Sequence, residues 1–118
     1  MGITYAKAVV TGPTGVSETV DFLVDSGAQF TLLPRKIWKR LKLKPKRTES
    51  FRLADGTSVE RQLSECHIAF AGKDGHTPVI LGERGDDLPL LGAITLEGPA
   101  LLLNPFNRQL QPMQSMLL

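Results

Sequence analysis

Apolar and polar side chains alternate through the early part of the chain. In Val16–Val24, the residues Val20, Phe22 and Val24 fall on one face and Asp21 and Leu23 on the other, the period of a half-buried strand. Ile3–Val10 is apolar and β-branched and predicts the strand before it, with Gly12-Pro13-Thr14-Gly15 as the turn between them. A short apolar segment, Phe30–Leu33, follows. Pro34 suits the first turn of a helix, where its missing N–H is no loss. Ile37, Trp38 and Leu41 give that helix an apolar stripe, and Pro45 ends it after about two turns.

The second half predicts hairpins. Phe51–Ala54 leads into Asp55-Gly56, a two-residue turn signal, and a long strand follows over Val59–Ala71. Gly72-Lys73-Asp74-Gly75 predicts the next turn and Pro78–Leu81 the next strand. Leu88-Pro89-Leu90-Leu91-Gly92 is an apolar run stopped by glycine, and Ala93–Glu97 predicts one helical turn. Leu101–Leu103 reads as a buried strand, Asn104-Pro105 as a turn and Arg108–Leu110 as a last strand. Many short strands at close spacing, with turn residues between them, imply a small barrel or sandwich.

Composition narrows this to one domain over residues 1–118. A chain of 118 residues, 42% hydrophobic and 22% charged, buries enough surface to build its own core. The single cysteine, Cys66, excludes a disulfide framework and a Cys-rich zinc site and reads as a small core side chain. Met1–Lys7 has no basic region leading into a long apolar run, and no run approaches the ~20 residues of a membrane helix. The expectation is a cytoplasmic protein with no membrane partner. Net charge is only +2, but eight of the 14 basic residues lie between Arg35 and Arg47. That block reads as a solvated helix and its exit. The competing reading is a surface for a nucleic acid or an anionic protein. Only Trp38 is interleaved as an aromatic platform, so a nucleic-acid partner is not expected.

Most catalytic chemistries can be struck off. His67 and His76 lie nine residues apart with no metal-ligand spacing, so neither a metal nor a cofactor is expected. Cys66 and His67 are adjacent, point to opposite faces of a strand, and cannot pair as nucleophile and base. A nucleophile elbow around Ser26 needs a glycine where Val24 stands. The glycines fit neither a phosphate-binding loop nor a dinucleotide fingerprint. A phosphatase aspartate is generally followed two residues on by a second one, and Gly27 stands there. What remains is Phe22-Leu23-Val24-Asp25-Ser26-Gly27-Ala28, a carboxylate at the end of a buried strand. Read alone, Asp-Ser-Gly is also an ordinary strand-ending turn.

Its surroundings resemble the retropepsin-like aspartic proteases, particularly small single-domain prokaryotic members. The family signature is an apolar run, Asp-Thr/Ser-Gly-Ala, then a small segment ending in an apolar pair, here Phe22 through Leu33-Pro34. Its second hallmark, two apolar residues and a glycine, is matched by Leu90-Leu91-Gly92. Ala54-Asp55-Gly56-Thr57 sits where the family places its flap hairpin, and Leu103 through Pro112 is similar to its closing strands. The resemblance spans roughly residues 3 to 112. Ile94 stands where many relatives carry Asp or Asn, and Asn104 where many carry Asp.

The resemblance implies an all-β, mostly antiparallel, closed acid-protease-type barrel with one short helix. It implies an aspartic endopeptidase with Asp25 as the catalytic carboxylate. Such catalysis needs two carboxylates sharing a proton, one polarising the carbonyl while the other takes a proton from water. One Asp-Ser-Gly in a short chain is half of that machine, and a symmetric homodimer supplies the rest. Ser26, Gly27 and Ala28 would support the dyad: Ser26 would brace it by a hydrogen bond across it, and Gly27 would let the substrate backbone approach and allow a dihedral that a side chain would forbid. Leu90, Leu91 and Gly92 would pack beneath the Asp25 loop. Ala54, Asp55, Gly56, Thr57 and Ser58 would form the flap that closes on a peptide. A catalytically silent peptide-binding or scaffold module on the same fold, or a nucleic-acid-associated one using residues 35–47, are the alternatives.

Overall fold

The alternation in sequence becomes alternation in burial. In the computed structural model, which describes residues 3–102, β1 (Tyr5–Thr11) points Ala8 and Val10 inward, and β2 (Ser17–Val24) does the same with Val20 and Phe22. The two pair antiparallel from Tyr5 opposite Leu23 to Thr11 opposite Ser17. β3 (Thr31–Leu33) leads through Pro34 into α1 (Arg35–Arg40). Pro34 is the N-cap rather than a first-turn residue, and the helix stops well before Pro45. It ends in a Schellman motif: Leu43 N–H donates to Trp38 O (3.1 Å) and Lys42 N–H to Lys39 O (3.0 Å). Lys42 takes the left-handed conformation (φ 61°) that this ending demands.

β4 (Arg47–Arg52) and β5 (Ser58–Phe70) form the first long hairpin, and β6 (Lys73–Leu81) forms the second with β5. Both turns differ from the sequence expectation. Asp55-Gly56 is not a two-residue turn: Gly56 N–H donates to Leu53 O and Leu53 N–H to Thr57 O, a type I turn with Gly56 at φ 90°. Asp55 Oδ1 accepts from Thr57 N–H (2.9 Å), an Asx bond that stabilises it. The following turn is tighter than expected, with Ala71 (φ 53°) and Gly72 (φ 76°) alone between paired Phe70 and Lys73. Positive φ at both positions matches the twist of the flanking strands, so Gly75 becomes a strand residue opposite Ile68. β4 also begins before Phe51, because Arg47–Ser50 pairs at an edge and carries no apolar alternation.

β7 (Leu90–Leu91) is short, and α2 (Ala93–Leu102) follows it. Leu101 and Leu102 are therefore helical, not strand. A short apolar run fits either state, and the helical turn begun at Ala93 propagates through it. Leu103, Asn104-Pro105 and Arg108–Leu110 lie outside the described residues.

Among the described residues, one seven-stranded sheet orders the strands β1-β2-β7-β3-β6-β5-β4. β5 also pairs with β1, from Val9 opposite Ala69 to Thr11 opposite His67, so the paired order returns to its start with β4 outside it. Val10, Phe22, Leu33, Leu41, Ile68, Val79, Leu81 and Leu91 fill the interior. Cys66 is a core side chain as expected, and burial, with the nearby charge of Glu65, pushes its thiol up to about 12. No helix among the described residues is long and apolar enough to cross a membrane.

Candidate active site

The feature that builds the site is the placement of β7. It lies between β2 and β3, parallel to the first (Leu23 opposite Leu90, Val24 opposite Leu91) and antiparallel to the second (Leu32 opposite Leu90). The loop from Asp25 to Phe30 must therefore arch over the end of β7 to reach β3. Asp25 N–H donates to Leu91 O (3.0 Å), Ala93 N–H to Ala28 O (2.8 Å) and Ile94 N–H to Gln29 O (3.1 Å). Both limbs of the arch are thus fixed by main-chain bonds to the segment around Gly92. A Cβ at Gly92 would collide with the carbonyl of Phe30, so glycine is what permits the crossing.

Within the arch, the Asp25 carboxylate accepts a hydrogen bond from Gly27 N–H at Oδ1 (3.0 Å). Asp25 is half-buried, and among the described residues no Lys, Arg or His forms a salt bridge with it. Gly27 does not adopt a left-handed φ, so the dihedral reason for a glycine there is corrected. An added Cβ there would stand 3.3 Å from Asp25 Oδ1, close enough that the carboxylate would have to shift by a few tenths of an ångström. Ser26 is exposed. Leu91 is fully buried beneath the arch, whereas Leu90 faces outward beside Leu32.

Three threonines tie this arch to the rest of the sheet, and sequence reasoning missed them. Gly92 N–H donates to Thr31 Oγ1 (3.0 Å), Thr31 Oγ1 donates to Thr95 Oγ1 (2.6 Å), and Thr95 Oγ1 bonds Thr77 Oγ1 (2.6 Å). All three are buried, and their hydroxyls form a chain in which each accepts and donates. Isolated threonines on a strand, a hairpin and a helix carry no spacing signal.

Beside the arch lies a cleft of about 530 Å³. Gly27, Ala28 and Phe30 border it on one side, Leu32, Ile80 and Leu90 form an apolar floor, and Phe51, Leu53, Val59 and Arg61 of the β4–β5 hairpin form the opposite wall. Phe30 and Phe51 meet edge to face across it, ring centroids 5.7 Å apart. The stem of the hairpin lines the cleft, while Ala54–Ser58 at its tip do not. Asp86 lines it too, paired with Arg61. None of the basic residues from Arg35 to Arg47 borders the cleft. Three of them are matched instead by Glu18, Glu65 and Glu49. Among the described residues there is no cluster of His, Cys, Asp and Glu that would hold a metal ion.

The family model described as aspartyl protease matches residues 6–93. The fold is similar to the EIAV protease complexed with the inhibitor HBY-793, at 18% identity and a TM-score of 0.61, covering 82% of this chain and 88% of that one. It is similar also to the solution structure of the simian foamy virus protease, at 18% identity and a TM-score of 0.58, covering 87% of this chain and all (100%) of that one. No curated protein matches the sequence.

Proposed function

This chain belongs to the retropepsin-like aspartyl proteases and is an aspartic endopeptidase, and from that premise we propose that it works as a symmetric homodimer sharing one catalytic dyad. The observation that carries the proposal is Asp25: a carboxylate fixed at a strand end, two residues before the Gly27–Phe30 limb that borders the cleft, while the acid that lines the cleft itself, Asp86, is committed to Arg61. The mechanism requires a second carboxylate near the first, and a two-fold axis at the Asp25 arch supplies it. One carboxylate of the pair takes a proton from the attacking water while its protonated mate polarises the scissile carbonyl. Ser26, exposed next to Asp25, is free to bond across the axis.

Exposed apolar side chains support a covering partner there. Thr4 O accepts from Val24 N–H, and its neighbours Ile3 (74% exposed) and Tyr5 (60%) flank the strand end that delivers Asp25. The ring of paired strands supports a closed barrel as the body of each protomer. A peptide would lie extended between the dyad and the hairpin, its side chains alternating into the apolar floor. The hairpin tip, Ala54–Ser58, would close over it as a flap. The test is incubation of wild type and Asp25→Asn with a mixed peptide library between about pH 3 and pH 8. Wild type should cleave and the variant should not. Cleavage by Asp25→Asn at more than a trace of the wild-type rate would end the proposal.

A further inference from the structure

The β4–β5 hairpin is a cantilever. β5 pairs with β6 only from Gln62 onward, opposite Leu81, while Ser58–Arg61 pair with β4 alone. Everything beyond Gln62 toward the tip is therefore held by its own ladder and by whatever its side chains reach. Arg61 is the first residue of that free arm, on the same face as Val59 and cross-strand to Glu49.

Arg61 reaches the loop between β6 and β7. Its Nε donates to Asp86 Oδ2 (2.8 Å) and its Nη2 to Oδ1 (3.4 Å), while Nη1 donates to Glu60 O (2.9 Å). Each side chain of the pair is 23% exposed, so the fork sits largely out of water at the end of the cleft. The loop it grips is itself fixed. Gly82 N–H donates to Leu33 O (2.8 Å), Trp38 Nε1–H to Gly82 O (2.8 Å), Asp86 N–H to Glu83 O (2.8 Å), and Glu83 N–H to Asp86 Oδ2 (2.8 Å). One end of the ion pair is anchored and the other is on the arm that overhangs the cleft.

We propose that Arg61 is a positioning residue for the peptide: its two-pronged pair with Asp86 sets how far the hairpin arm stands above the cleft floor of Leu32, Ile80 and Leu90. The proposal rests on the protease reading, and it assigns the pair to substrate binding, not to the chemistry at Asp25. A clasp at the root of the arm fixes the arm's angle, so loosening it widens the cleft along its whole length. Lysine would keep the charge at position 61 but not the fork, and should restore only part of the effect.

The experiment is a double-mutant cycle of Arg61→Gln and Asp86→Asn, read in two ways. The first is KM and kcat on a peptide that wild type cleaves from the library. The second is backbone hydrogen exchange across residues 49–60, with Phe22 and Ile68 as core references. Each single variant should raise KM about tenfold with kcat within about threefold, and the double variant should be no worse than either single. Hairpin amides should exchange faster in all three while Phe22 and Ile68 stay protected. Unchanged hairpin exchange overturns the proposal, as do additive effects or a loss confined to kcat. Core amides that open along with the hairpin also overturn it, since the pair would then be a general brace. If wild type cleaves no peptide, the protease reading falls and the substrate role falls with it. Hydrogen exchange still decides whether the clasp exists.

Discussion

Thr95 offers the sharpest test at the scale of single residues. Its hydroxyl accepts from Thr31 and bonds Thr77, and all three side chains are buried. Thr95→Val keeps the shape and removes both bonds: the Thr31 hydroxyl still accepts from Gly92 N–H (3.0 Å) but loses the acceptor for its own proton, and Thr77 is left with only its weak contact to Pro78 O (3.4 Å). Orphaned buried groups cost more than a bond is worth, so urea unfolding should show a loss of about 1–3 kcal/mol. Replacing all three threonines by valine should cost less than the three single losses added together, because the three hydroxyls leave together and only the Gly92 N–H of the arch loses its acceptor. An unchanged midpoint for Thr95→Val would show that the chain of hydroxyls does not hold the arch. The sequence showed Asp25 and Gly92 because each stands in a local pattern. It could not show the threonines, or Arg61 and Asp86, because their partners are brought together only by the topology.

Among the elements, the hairpin arm and the loop it grips should respond to pH in a definite direction. Burial pushes the Asp86 carboxyl up, but the hydrogen bonds from Arg61 and from Glu83 N–H, with the Arg61 charge, outweigh it and leave the group below its ordinary value. The Arg61 guanidinium is held above its own ordinary value, chiefly by the Asp86 hydrogen bond, with the charges of Asp86 and Glu83 adding to it. A carboxyl depressed in the folded state contributes stability above its unfolded pKa of about 3.9, and that contribution fades as pH falls through the folded value. Asp55, lowered by its bonds to Thr57, and Glu65, lowered by Lys46, act in the same sense. The difference in stability between wild type and Asp86→Asn isolates the clasp from them. That difference should stay flat from neutrality to about pH 5 and shrink only below about pH 4. A difference that shrinks already between neutrality and pH 5 would refute it. The clasp thus survives in the mildly acidic range where a shared-proton dyad is expected to work. Elements followed the sequence wherever one face was buried, as in β1 and β2, because burial imposes the period. They departed where both faces are wet, as at Arg47–Ser50, and where turn geometry is settled by strand twist, as at Ala71-Gly72.

For the whole molecule, the question is whether two copies share one site. A protomer with a single arch carboxylate has no activity of its own under the proposed mechanism, so the rate per protomer should fall on dilution below the dimer dissociation constant. The rate should also fall on both the acidic and the alkaline side of its optimum, since one carboxylate must be ionised and the other protonated. Neither result alone excludes a loosely associating monomeric enzyme, whereas mixing does. Asp25→Asn removes the charge but keeps the shape of the arch, including an oxygen at the end of the side chain to receive Gly27 N–H. The variant should therefore still dimerise and exchange with wild type. At concentrations well above dissociation, a ninefold excess of it should convert nearly all wild-type protomers to mixed dimers with one carboxylate, leaving about one-tenth of the activity. The same excess of an Asp25→Asn variant also altered in the exposed Ile3 and Tyr5, which would dimerise poorly, should poison far less. If the ninefold excess of Asp25→Asn leaves the wild-type rate intact, each chain carries a complete site and the two-fold dyad is wrong.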